Sequence, residues 1–145
     1  MKTEIIEVKE ALPEYLQAVQ QLLPELTPHA LPLDESTWQE LVAHPSTRIF
    51  LLKANEQIAG MLTLGHYASP TGRKYWVEDV TVSAAYRGKG LGRLLLQHAI
   101  AEVEKQAPAT LMLTSKPARI AANQLYQSSG FSPKETNVYV MKLPK

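Results

Sequence analysis

The 145 residues predict one α/β (α+β) domain in which a mostly antiparallel sheet is packed by helices. Three observations predict it. From Arg48 the apolar runs RIFLLKA, QIAGMLTLGHY and KYWVEDVTVS follow one another with only ANE and ASPTGR between them, the pattern of a meander. Stretches with apolar residues at helical spacing lie before and after those runs. No repeat, low-complexity tract or linker breaks the chain, so a single domain over residues 1–145 is expected.

Taken in order, TEIIEV reads as a short strand, and Leu16, Val19, Leu22 and Leu23 then mark one face of a helix. Pro24, Pro28 and Pro32 predict an irregular connection over residues 24–36, ending at a helix cap on Asp34 or Ser36. The short helix TWQELVAH stops before Pro45, and the meander follows. Leu91, Leu94, Leu95, Ala99, Ile100 and Val103 form the apolar face of a third helix. ATLMLTS reads as a buried strand. Pro117 is placed to open a last helix, with Gly130 at its C-cap, and ETNVYVMKL reads as a closing strand.

Composition narrows the function. An apolar content of 45% can fill one core, and 15 basic against 14 acidic residues leave a net charge of +1. No global field draws such a chain to nucleic acid or anionic lipid, so neither is expected as a partner. The absence of cysteine removes disulfides, thiolate catalysis and thiolate metal sites. The opening MKTEIIEVKEALPEY resembles neither a signal peptide nor a membrane span, and a soluble cytoplasmic location is expected.

Three of the seven glycines fall in YRGKGLGRLL, between a strand and a helix. Glycine there gives access to φ > 0 and close approach, at a cost of about 0.5–1 kcal/mol per residue in regular structure. A helix start leaves unpaired N–H groups where the macrodipole also favours an anion, and Arg87, Lys89 and Arg93 add local positive charge. A phosphate loop of the G-x-x-x-x-G-K-[ST] form fails because Gly90 follows Lys89. The dinucleotide pattern G-x-G-x-x-G fails at Arg93 and at Leu95.

R-G-K-G-L-G over Arg87–Gly92 resembles the [RQ]-x-x-G-x-[GA] pyrophosphate loop of the GNAT superfamily, the acetyl-CoA-dependent N-acetyltransferases. Ala122 to Phe131, AANQLYQSSGF without its first alanine, resembles that family's A-x-x-L-Y-x-x-x-G-F segment. The resemblance implies a GNAT-like domain of about seven strands and about four helices, splayed between the strands KYWVEDVTV and ATLMLTS. It implies acetyl-CoA as co-substrate, held by backbone groups of Val80, Thr81 and Val82, by the loop Arg87, Gly88, Lys89, Gly90, Leu91 and Gly92, and by Asn123 and Tyr126. Arg119 stands where many relatives have asparagine, which leaves that asparagine's role open between Asn123 and other groups.

The implied chemistry asks for a base, because amines of pKa about 8 to 10.4 are protonated at neutral pH. Glu78 is the candidate base or water holder; in a regular strand it shares a face with Trp76, Val80 and Val82, with Asp79 opposite, and a bulge shifts that phase. Tyr126 is the candidate donor to the departing thiolate, and a backbone N–H near Val82 the donor to the carbonyl oxygen. The expected activity is N-acetyl transfer to a primary amine, small or at a peptide N-terminus, by direct attack in a ternary complex. The alternatives are a non-catalytic acyl-CoA-binding or regulatory module and a nucleotide-binding module. His29, His44, His66 and His98 lack metal-ligand spacing, so no metal is expected. A closing edge strand makes a homodimer conceivable.

Overall fold

A computed structural model describes residues 1–145 throughout. It contains β1 (Thr3–Glu7), α1 (Pro13–Leu26), α2 (Glu35–Ala43), β2 (Thr47–Ala54), β3 (Gln57–Ser69), β4 (Gly72–Val82), a 3-10 turn (Ala84–Tyr86), α3 (Leu91–Glu104), β5 (Thr110–Met112) and α4 (Ile120–Ser128). The chain divides into two compact units, Met1–Thr114 and Ser115–Lys145, taken here in turn.

The first unit carries one sheet of five strands in the order β1-β2-β3-β4-β5. The expected seven strands and mostly antiparallel, splayed sheet give way to this mixed sheet. β1–β2, β2–β3 and β3–β4 pair antiparallel, and β4–β5 pair parallel. The reason is connectivity: tight hairpins join the first strands of the meander, whereas β4 reaches β5 through α3, and a helical crossover returns the chain in the same direction. At the β2–β3 hairpin, Asn55 and Glu56 both have φ > 0, as a two-residue type I′ turn requires.

Alternation along β2 and β3 makes the sheet two-faced. Ile49, Leu51 and Met61 form one core with Leu16, Val19 and Leu22 of α1 and Trp38 of α2. Phe50, Leu52, Leu62 and Leu64 face the other way, where Leu91, Leu95, Leu96 and Ala99 supply the buried stripe of α3. Gly60 lets that helix come close: a Cβ there would lie 3.1 Å from Leu95 Cδ1 and 3.1 Å from the Thr81 carbonyl. Arg48 ties three elements together, binding Glu7 of β1 at 2.8 and 2.9 Å and Glu102 of α3 at 3.1 Å.

Two local expectations, the end of α1 and the length of β5, are corrected in this unit, and one of the two caps expected for α2 is the one used. α1 runs through Pro24 to Leu26, because its apolar stripe packs on the sheet and outweighs one lost N–H and a proline penalty of ~3 kcal/mol. The cap of α2 is Asp34, whose carboxylate accepts the Thr37 N–H at 2.7 Å and is thereby held below its ordinary pKa. β5 is shorter than ATLMLTS suggests, pairing only over Thr110–Met112.

In the second unit α4 begins at Ile120, three residues after Pro117, and ends in a Schellman motif. Phe131 N–H donates to Tyr126 O at 3.1 Å and Gly130 N–H to Gln127 O at 3.2 Å, with Gly130 at φ 107°. ETNVYVMKL, expected as a strand, is not one: no residue after Phe131 belongs to a helix, a strand or a backbone hydrogen bond. A β-pattern becomes a strand only where another strand completes its ladder.

Candidate active site

β4 supplies the centre of the site in the first unit. Against β3, Thr63 pairs with Glu78 and Met61 with Thr81, so Leu62 opposes two residues, Asp79 and Val80. This is a β-bulge. Asp79 takes the left-handed conformation, φ 53°, which aspartate tolerates better than most residues.

The bulge decides what faces what. Directly paired residues share a face, so Glu78 and Thr81 lie with Met61 and Thr63 on the side of α1 and α2, while Val82 lies with Gly60 on the side of α3. The expected grouping of Glu78 with Val80 and Val82 is therefore wrong, and the extra residue is the reason. Trp76, paired with Gly65, does stay on the face of Glu78.

Glu78 and Asp79 both reach solvent, and Thr81 is buried. Their carboxyls still sit above the usual range. For Glu78 the cause is first the removal of water by surrounding protein and then repulsion from Asp79; for Asp79 it is the removal of water alone.

Beyond the bulge the backbone opens. β4 and β5 pair only over Lys74–Trp76 with Thr110–Met112, so no strand lies beside β4 from Val77 to Val82 on its β5 side. Ser83 N–H donates to Ala59 O on β3 at 2.7 Å. Strand alternation then turns the Val82 N–H and C=O away from β3, towards the open side. Arg87 Nε donates to that Val82 carbonyl at 3.2 Å, and the Val82 N–H remains.

The loop leading into α3 is held from outside the motif. Glu25 of α1 accepts the Ala84 N–H at 2.9 Å, and Tyr86 O–H donates to Gln57 Oε1 at 3.1 Å. Lys89 Nζ stands 5.5 Å from the centre of the Tyr86 ring, a cation–π distance. Gly88 and Gly90 have φ of 77° and 76°, and a Cβ at either would meet nothing within 4 Å. Gly92 is already inside α3 and needs no such conformation.

No side chain caps α3, and the N–H groups of Gly88, Lys89, Gly90, Leu91 and Gly92 make no backbone hydrogen bond. Five donors, exposed cations at Arg87, Lys89 and Arg93, and open space over Gly90 form a cradle suited to a pyrophosphate. The bond from Arg87 to the Val82 carbonyl joins this loop to the end of β4.

A residue-profile comparison adds to this geometry. The model of the acetyltransferase (GNAT) family matches residues 12–131. The chain belongs to the GNAT family. A GNAT relative in Escherichia coli (strain K12), named [ribosomal protein bS18]-alanine N-acetyltransferase, is 44% identical over 54 residues, 37% of this chain and 36% of that protein. The match thus spans about a third of that relative's length. Among solved structures, the aminoglycoside acetyltransferase meta-AAC0020 from an uncultured soil metagenomic sample superposes with a TM-score of 0.82 at 19% identity, covering 99% of this chain and 97% of that one. AAC(6')-Iy, in complex with the bisubstrate analog CoA-S-monomethyl-acetylneamine, superposes at 0.80 and 14% identity, covering 99% of this chain and all of that one.

In the second unit of this GNAT chain Tyr126 is buried, its ring edge-on to Phe131 with centroids 6.3 Å apart. Asn123 donates its side-chain amide to Lys116 O at 3.0 Å, which leaves its oxygen as the group open to a ligand. Arg119 is the exposed N-cap of α4. Three of the four histidines have local partners: His98 packs edge-on against Phe50, His66 stacks on Tyr75, and His44 Nδ1 accepts the Ser46 N–H. No group of three potential metal ligands forms.

Glu25, Gln57 and Tyr86 were not among the residues expected at the site. Tyr86, an aromatic directly before the loop, carries a signal in its position. Glu25 carries none, since 59 positions separate it from Ala84.

Proposed function

We propose that this chain moves an acetyl group from acetyl-CoA to a primary amine by direct attack within a ternary complex, with residues 1–145 acting as one GNAT domain. The observation that carries the reading is the uncapped start of α3, with Gly88 and Gly90 in the left-handed conformation, at the end of a strand whose outer side is open. Acetyl-CoA supplies an activated thioester. Arg87, Gly88, Lys89, Gly90, Leu91 and Gly92 take its pyrophosphate, Val80, Thr81 and Val82 offer backbone groups to its arm, and Asn123 adds a polar contact.

The remaining tasks fall to three groups. Glu78 removes a proton from the ammonium, directly or through water, and its raised pKa brings it nearer to the task than an ordinary carboxylate. The Val82 N–H, directed to the open side, donates to the carbonyl oxygen as charge develops, an effect typically worth ~2.7–4 kcal/mol. Tyr126 protonates or hydrogen-bonds the departing thiolate. The amine nitrogen forms the new C–N bond and the C–S bond breaks; of the two protons the ammonium loses, one passes through Glu78 to solvent and the other is balanced by the one the thiolate gains.

The acceptor side is drawn from the proline-rich connection. A cavity of about 270 Å³ there is lined by Leu23, Pro24, Thr27, Pro28, Leu31 and Pro32 among others. Its walls suit the apolar part of a small amine or a peptide N-terminus. The test is release of free thiol from acetyl-CoA against a panel of amino acids, aminoglycosides and peptides beginning with alanine. Acceleration by at least one amine is expected. Stabilisation by coenzyme A with no amine accelerating thiol release makes the chain an acyl-CoA-binding module instead.

A further inference from the structure

The last turn of α1 touches both halves of the proposed site. Leu23, Pro24 and Thr27 line the cavity assigned to the acceptor, together with Pro28 and Leu31 of the connection that follows. Glu25, from that same turn, reaches the acetyl-CoA side, where its carboxylate accepts the Ala84 N–H at 2.9 Å. The Ala84 carbonyl in turn accepts the Arg87 N–H at 3.4 Å, and Arg87 opens the pyrophosphate loop. Ala84 thus bridges the acceptor wall and the first residue of that loop.

This turn is weakly held by its own helix. Pro24 has no N–H, so the Gln20 carbonyl loses its helical donor. The last turn carries no basic residue, and a carboxylate there faces the negative end of the helix macrodipole. Glu25 therefore does nothing for α1 itself; the bond to Ala84 is what its position serves. The connection beyond is tied back to the same helix, with Thr27 N–H donating to Leu23 O at 3.0 Å and Gln20 Nε2 donating to Leu33 O at 2.8 Å. The C-terminal half of α1 thus carries the wall of the cavity.

We infer that Glu25 is a positioning residue that couples acetyl-CoA binding to the acceptor cavity, an inference that rests on the acetyl-transfer reading above. The turn has two states: formed, with Glu25 bonded to Ala84, or frayed, with that bond broken. Acetyl-CoA fixes residues 84–92 and so favours the formed turn, which completes the acceptor wall before the amine arrives. An amine in the cavity favours the same state and tightens acetyl-CoA binding by the same factor.

Amide hydrogen exchange on the full chain, followed by NMR, tests this with desulfo-coenzyme A, which keeps the pyrophosphate and cannot react. The saturating probe is expected to slow exchange of the Leu26 and Thr27 amides about fivefold or more in the wild type. In Glu25→Ala that slowing is expected to vanish while the probe still perturbs residues 88–92. In Glu25→Gln, whose amide oxygen accepts the same N–H, it is expected to persist. No slowing in the probe-bound wild type overturns the coupling, as does equal slowing in Glu25→Ala or its loss in Glu25→Gln. Failure of the probe to bind overturns the coupling and the reading it rests on together. Slowing that is intact when no amine accelerates thiol release from acetyl-CoA supports the coupling and overturns the catalytic reading alone.

Discussion

Gly90 is a residue whose backbone and whose empty space serve the same end. Its φ of 76° starts α3 without a side-chain cap, and the absence of neighbours within 4 Å leaves room for a ligand. Gly90→Val, strained in that conformation, is expected to weaken coenzyme A binding at least tenfold by calorimetry; unchanged affinity removes the reason given for the glycine. Tyr126→Phe keeps the ring and its contact with Phe131 but loses the hydroxyl. Turnover is expected to fall by roughly 10²-fold with little change in the KM for acetyl-CoA, and an unaltered kcat rejects the proposed role. Glu78→Gln tests the base. Because the folded pKa of Glu78 is raised, its basic form is lost as pH falls towards that value from above. The wild type should lose kcat/KM on the acid side at a pH above the ordinary carboxylate range, and the variant should be slower and lack that limb. These residues were legible because glycine spacing and the L-Y-x-x-x-G-F pattern are local. The faces of Glu78 and Val82 were not, since a bulge is settled only by pairing with β3.

At the scale of elements, the loop is fixed by parts distant in sequence. The C-terminal turn of α1 reaches it through Glu25, and the start of β3 reaches it through Gln57 and Tyr86. Glu25→Ala leaves the Ala84 N–H to solvent and frees the entry to the loop. The KM for acetyl-CoA should rise about three- to tenfold while kcat at saturation stays near wild type, as expected for loss of one exposed charge-assisted hydrogen bond. A parallel fall in kcat points to disruption of β4 instead. Helix spacing marked α1 and α3 in the sequence, and the flanking cap, proline and glycine signals marked α2 and α4. The end of α1 was misplaced because proline signals a stop that packing can override, and the C-terminal stretch because its β-pattern is silent about whether a partner strand is present.

For the whole molecule, the first unit is held by cores on both faces of the sheet and by Arg48, which links β1, β2 and α3. The hydrogen-bonded Arg48 guanidinium lowers the Glu7 carboxyl to about 2, and the Glu7 carboxylate raises Arg48 in turn. A carboxyl depressed in the folded state adds stability above its unfolded pKa, and that stability is lost as pH falls through the folded one. Glu7→Gln should therefore cost on the order of 1–3 kcal/mol at pH 7, allowing for the partial exposure of the pair. In thermal melts the gap to wild type should narrow from about pH 4.5 downwards and close near pH 2. A gap independent of pH assigns the loss to packing.

By itself the sequence determined the α/β class, the meander, the helices and the glycine loop, because each rests on local spacing that the backbone converts directly into geometry. Its lack of cysteine and near-neutral charge also narrowed the chemistry before any fold was known. Only the tertiary structure decided the parallel β4–β5 pair, the phase of Glu78, the grip of Glu25 on Ala84 and the unpaired state of Asn137–Leu143. Those depend on which distant segments share hydrogen bonds, and a hydrogen-bonded partner far along the chain leaves no mark in local spacing.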